Sequence, residues 1–257
     1  MKKSNYLFIK PFFEYRNHYE LVPFTLELLK NDGKTDVYNL LKSKSPATGE
    51  MYMSIIAKGA MDADLPWSCG YILHFYHFHH PWTHRGYLTH KSAADELARL
   101  FTFSQNLWRE GKKDRAAYQL GRMLHLIQDI FIPHHAAVTA KSGHGQLENW
   151  LSSNWHFYLV EAGGFYRWEK TFECETGANI HTVSSKNPYD WIDAGSHLSI
   201  RWYKKYYSNG AHSGSEDFFP RLASKIIPHA LRYSAGFINR FFSGLTLSEY
   251  SHGFDKD

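Results

Sequence analysis

Cysteine is scarce. Cys69 and Cys174 are the only two in 257 residues, and they stand 105 positions apart. They form no CxxC site and no disulfide framework, although they can pair with each other in an oxidising compartment. No run of 18 apolar residues occurs, so no membrane-spanning helix is expected. After Met1-Lys2-Lys3 the apolar run Tyr6-Leu7-Phe8-Ile9 ends at Lys10 and Pro11. That is too short for the core of a signal peptide. The expectation is a protein that stays in the cytoplasm, is exported another way, or has its natural N-terminus elsewhere. Charge of one sign is also lacking: the net charge is +4, with no Lys/Arg stripe of the kind that tracks a phosphate backbone. This neither demands nor excludes a nucleic-acid partner. Strand signals are weak, and no internal repeat or Pro/Gly/Ser-rich linker divides the chain.

Histidine and aromatic residues are abundant, with 17 histidines and 17% aromatics. The rings suffice for a substantial core, with some left for a cleft.

Apolar residues recur at helical spacing through most of the chain. Helices are predicted over Phe24 to Leu29, Met51 to Met61, His90 to Glu110, Asp114 to Phe131, Gln146 to Val160, Pro188 to Tyr207 and Phe218 to Phe242. Asn31-Asp32-Gly33, Gly111 and Pro133 mark helix ends, and Pro228 marks a kink. Around Phe165-Tyr166-Arg167-Trp168 a short hairpin is the most that the sequence supports. The fold class expected is all-α: a single compact multi-helix domain over about 18–245, with 1–17 as an N-terminal extension and 246–257 as a polar tail.

One segment carries the chemistry. His125-Leu-Ile-Gln-Asp129-Ile-Phe-Ile-Pro133-His134-His135 is followed by His144-Gly-Gln-Leu-Glu148. Residues four apart share a helix face, so His125 with Asp129, and His144 with Glu148, can each grip one ion. Imidazole and carboxylate without thiolate suit zinc in a hydrolytic site. Left without ions, these polar groups would need burial and partners of another kind. Upstream stand His18, Asp64 in Gly59-Ala-Met-Asp-Ala-Asp64, and His74-Phe-Tyr-His77-Phe-His79-His80-Pro81. Asp62 is an alternative to Asp64. His77, His79, His80 and His84 read as surface or supporting residues.

The order of these elements resembles the zinc-dependent phospholipase C family, which shares its fold with the P1/S1 nucleases. An early His is followed by a helix ending in Leu-Lys-Asn-Asp-Gly, then by Gly-x-x-x-x-Asp and His-Phe-Tyr. After these come His-x-x-x-Asp-x-x-x-Pro-x-His-Ala-Ala, His-x-x-x-Glu-Asn and Asn187-Pro-Tyr-Asp-Trp191-Ile192. The resemblance runs from His18 to Phe242. It implies that His74, His125 and Asp129 hold one zinc, and that His135, His144 and Glu148 hold a second. His18 would bind a third, with Asp129 as the bridge. It gives Asp64 the catalytic task of orienting or deprotonating the attacking water, and Tyr71 a place in substrate binding. His134 falls where the family has an apolar residue and is not counted as a ligand. In the family a processed N-terminal Trp completes the third zinc; the first Trp here is Trp67.

The implied activity is phospholipase C cleavage of glycerophospholipids to diacylglycerol and a phosphorylated head group, at a membrane surface. Two alternatives stay open. A P1/S1-type single-strand nuclease uses similar ligands, but its last motif commonly ends in Trp-Asp where this chain has Glu148-Asn149. A zinc-binding relative without turnover is the other.

Overall fold

The computed structural model describes residues 15–65, 68, 75–141, 143–166, 169–173, 180–184, 187–207 and 217–251. Cys69, Tyr71, His74 and Cys174 lie outside the described residues. In chain order the helices are α1 (Tyr15–Asn31), α2 (Thr35–Lys42), α3 (Tyr52–Asp62), α4 (Ala93–Arg109), α5 (Lys113–Asp129), α6 (Pro133–Ala136), α7 (His144–Asn154), α8 (Tyr189–Tyr206) and α9 (Phe219–Ser251). Strands β1 (Glu169–Glu173) and β2 (Ile180–Ser184) form one antiparallel hairpin, with Thr171 opposite Thr182. The all-helical architecture expected from the periodicity is the one observed. The hairpin is the only sheet among the described residues, just after the segment where the sequence allows one.

Helix α5 is the central post. Ala116, Leu120, Leu124, Leu126 and Ile127 are fully buried along it, and α3, α4, α8 and α9 all pack against it. Its most extensive contact is with α3. Two glycines make that contact possible. A Cβ built on Gly121 would stand 2.0 Å from the Ile56 carbonyl oxygen, and one built on Gly59 would stand 2.0 Å from the Tyr118 carbonyl oxygen. The two backbones therefore touch where larger residues would hold them apart.

Local chemistry sets the helix limits. Ser92 caps α4 in a capping box: its hydroxyl accepts from the Asp95 N–H, and the Asp95 carboxylate accepts from the Ser92 N–H. Pro133 ends the α5 run and opens the single turn α6, where its missing N–H costs nothing.

Helix α1 begins nine residues before the predicted Phe24, so His18 lies within α1, one turn from its start, and not ahead of the first helix. Pro23 inside α1 forfeits one backbone bond. Burial of Asn17, His18, Leu21, Val22, Thr25 and Leu26 along one face outweighs that loss. Helix α9 continues to Ser251, past the expected end of the helical region at 245.

Candidate metal centre

The candidate residues gather where several elements end. Asp129 closes α5, with His125 one turn before it; Asp64 follows the end of α3; His18 is near the start of α1; His135 is on α6; His144 and Glu148 open α7. Separate helix ends thus meet at one end of the bundle, and burial of the α5 post aims His125 and Asp129 at the meeting point.

Three positions can be distinguished. At the first, His125 Nε2 is 3.1 Å from Asp129 Oδ2 and 3.3 Å from Asp64 Oδ1. His77 Nδ1 is 2.7 Å from the same Asp129 oxygen and 3.1 Å from His125 Nε2. At the second, His135 Nε2 and His144 Nε2 are 3.1 Å apart, and Glu148 Oε1 is 2.9 Å from His144 Nε2 and 3.5 Å from His135 Nε2. At the third, His18 Nε2 is 3.4 Å from Asp129 Oδ1. A tetrahedral ion with bonds of about 2.0–2.1 Å spaces its ligands about 3.3 Å apart. The donor atoms already stand close to that spacing.

The tautomers strengthen the fit. His125 Nδ1–H donates to the Ala60 carbonyl at 2.9 Å, and His135 Nδ1–H donates to the His77 carbonyl at 3.0 Å. His18 Nδ1–H donates to Gln128 Oε1 at 2.7 Å. A carbonyl only accepts, so each Nδ1 carries a proton and each Nε2 is the atom turned inward, able to bind an ion once it is unprotonated. Outer hydrogen bonds of this type orient metal-ligating imidazoles. Inward lone pairs facing carboxylate oxygens repel one another unless a cation or proton stands between them.

The acid–base balance points the same way. Burial disfavours charge on His125, yet the carboxylates of Asp64 and Asp129 hold its pKa well above the ordinary imidazole value. The carboxylates thus call for positive charge at that spot. Burial alone would raise Glu148, but His144 and His135 outweigh it and hold the carboxyl at about 2. Burial, with the neighbouring His125, lowers His18 to about 4 and keeps its imidazole neutral at neutral pH. The donor set fits zinc.

His77 departs from the sequence reading. It was expected at the surface or in a supporting role, and it is instead buried between His125 and Asp129. His74, assigned to that zinc by resemblance, lies outside the described residues. Four histidines crowd into residues 74–80, and no period selects among them. The described part of this segment is a 3₁₀ turn, Phe75–His77, followed by chain without regular secondary structure. His134 is buried, stacks on His144 with centroids 5.0 Å apart and meets Tyr207 at 4.3 Å, so it buttresses a candidate ligand. Asp62 accepts from the Tyr118 hydroxyl at 3.1 Å, while Asp64 is the carboxylate that reaches His125.

Comparison with known proteins concerns the chain and its fold. The sequence model of a family described as zinc dependent phospholipase C matches residues 18–210. A phospholipase C of Clostridium haemolyticum is 25% identical over 164 residues, covering 61% of this chain and 39% of that protein. One from Paraclostridium bifermentans is 25% identical over 173 residues, covering 65% and 40%. Among solved structures, the alpha toxin from Clostridium absonum superposes with a TM-score of 0.70 at 21% identity, covering 89% of this chain and 64% of that one. The alpha-toxin of an avian strain of Clostridium perfringens gives 0.68 at 18%, covering 93% and 65%. These structures share the fold. The chain spans 39% and 40% of the length of the two relatives matched by sequence.

Proposed function

The chain belongs to the zinc-dependent phospholipase C family, and on that footing we propose that it is a phosphodiester hydrolase cleaving glycerophospholipids to diacylglycerol and a phosphorylated head group. The observation that carries this reading is the convergence of three donor sets on Asp129 and its neighbours, at ligand spacing, with imidazole nitrogens turned inward. A phosphodiester is anionic and gathers charge as it reacts. Zinc, when bound, neutralises that charge and brings a water pKa down to about 7.

The chain's own residues divide the remaining work. His125, Asp129 and His77 form the first ligand set, and His77 takes the place that resemblance gave to His74. His135, His144 and Glu148 form the second. His18 and the outer oxygen of Asp129 form the third. Asp64 is the group that orients and deprotonates the attacking water. Burial would raise its pKa, but His125 outweighs that and keeps it below the ordinary carboxylate value, so it is ionised and able to accept a hydrogen bond from the water it orients. Tyr71, outside the described residues, is assigned to the substrate side. Among the described residues no helix is long and apolar enough to cross a membrane, so access to lipid would be from the surface.

The test is incubation of zinc-loaded protein with mixed phospholipid vesicles and, in parallel, with single-stranded RNA and DNA. Chelator-sensitive release of phosphorylated head group is expected. Nucleotide release alone would move the protein to the nuclease branch, and silence on every substrate would favour a zinc-binding relative without turnover. Asp64→Asn is expected to abolish head-group release while zinc content stays near that of the parent; parallel loss of zinc would make Asp64 a ligand first.

His77→Ala is expected to weaken zinc at the first position by more than about 100-fold, since even outer partners of a ligand are worth about 10–100-fold. Competition with a chromophoric chelator measures this, and unchanged affinity would return the position to His74. Zinc uptake is expected to release protons, because imidazole must be neutral to bind. A pH indicator in weak buffer would detect the release.

A further inference from the structure

We propose a separate zinc-type site built from His79, His84 and Asp193, with His197 beside it. Asp193, on α8, is fully buried. Its Oδ1 is 2.8 Å from His79 Nε2 and 3.2 Å from His84 Nδ1. Its Oδ2 is 3.9 Å from His197 Nε2, one turn further along α8. None of these donors belongs to the three positions around Asp129. The distances bracket the roughly 3.3 Å ligand spacing of a tetrahedral ion with bonds of about 2.0–2.1 Å. Imidazole with one carboxylate, and no thiolate, suits a divalent ion of the zinc class.

Two further observations point to a ligand. The first is the backbone of His84, which has φ 55°, in the left-handed region where residues other than glycine are uncommon. Its N–H donates to the His80 carbonyl at 2.8 Å, closing a tight turn that brings the imidazole back onto Asp193. Strain of this sort persists where the surroundings impose it, and it gathers at ligand sites. The second is the charge balance. A buried carboxylate needs a cation or charged partner. Asp193 Oδ1 faces two imidazole nitrogens at once, and a divalent ion shared among the three would supply that charge. Tyr189 walls the site, with ring centroids 5.4 Å from His79 and 6.2 Å from His84. The His84 side chain is half exposed and provides the way in from solvent.

An ion here would fasten the 75–90 loop to α8. The same loop presents His77 to the first position, and the His79 N–H donates to the His135 carbonyl at 3.1 Å. The site is thus a clamp beside the candidate centre, and it stands whether or not the phospholipase reading does.

The experiment is an anomalous difference map at the zinc edge from crystals of the unmodified protein saturated with zinc, joined to zinc counts per chain by native mass spectrometry for the parent and for His84→Gly. Glycine removes the ligand and accepts the positive φ, so the fold is retained. The expected result is a peak bonded to His79 Nε2, His84 Nδ1 and Asp193, and one zinc fewer in His84→Gly. Absence of that peak at saturation, or an equal zinc count in the variant, overturns the proposal. Peaks around Asp129 and Glu148 are scored separately in the same map, so failure of the clamp is distinct from failure of the hydrolytic centre.

Discussion

Asp129→Asn is expected to lower phosphodiester hydrolysis by about 10³-fold or more, which corresponds to about 4 kcal/mol of lost transition-state stabilisation. The two carboxylate oxygens of Asp129 face two positions at once. Oδ2 lies 2.7 Å from His77 Nδ1 and 3.1 Å from His125 Nε2, while Oδ1 lies 3.4 Å from His18 Nε2. An amide retains one acceptor oxygen, turns an NH₂ group toward one of the two positions and removes the negative charge from both. Each zinc contributes several kcal/mol of charge stabilisation, so losing either accounts for the fall. Zinc content should drop along with activity. Glu148→Gln is the comparison, because among the described residues Glu148 faces His135 and His144 and not the His18 side. It should weaken the second position and leave the His18 side occupied. Near-parental turnover by Asp129→Asn would sink the assignment of Asp129 as the bridge.

The second large effect is on stability. Gly121→Ala is expected to destabilise the fold by about 3 kcal/mol, near the upper end of ordinary overpacking. Helix propensity alone would favour alanine by about 1 kcal/mol. The steric term opposes it and is larger, since the new Cβ would meet the Ile56 carbonyl at 2.0 Å and the Ala60 nitrogen at 2.7 Å. Both are backbone atoms and cannot rotate aside, so α3 and α5 must separate. For a chain of this size the loss corresponds to a fall in Tm of about 6–12 °C. Zinc affinity at the first position should also fall, because His125 takes its orientation from the Ala60 carbonyl across that same contact. Thermal unfolding and chelator competition on one preparation measure both. A variant as stable as the parent would mean that the helices can part at no cost.

Much of this molecule was legible from its residues, for reasons that differ by element. Helices α3, α4, α5, α8 and α9 carry apolar stripes long enough to read, and Gly111 and Pro133 punctuate them. His125 with Asp129 and His144 with Glu148 were legible because helical spacing converts sequence distance directly into a shared face. The first half of α1 was hidden by Pro23, whose local penalty is overcome by burial of the face that includes Leu21 and Leu26. Eight-residue α2 and four-residue α6 are too short to show a period. His77 was not singled out because four histidines fall within residues 74–80 and no helical period selects among them. Tertiary packing, not local pattern, makes that choice.

The pairing of α1 with the end of α5 has a consequence for chain topology. His18 meets Gln128 across 110 residues of chain, and Asp129 beside it carries the facing oxygen. An ion shared by His18 and Asp129 would act as a cross-link closing that long loop. Restricting a loop of this length removes unfolded-state freedom worth on the order of 4 kcal/mol. Chelation would then register chiefly as entropy returned to the unfolded chain, while each helix kept its own backbone bonds.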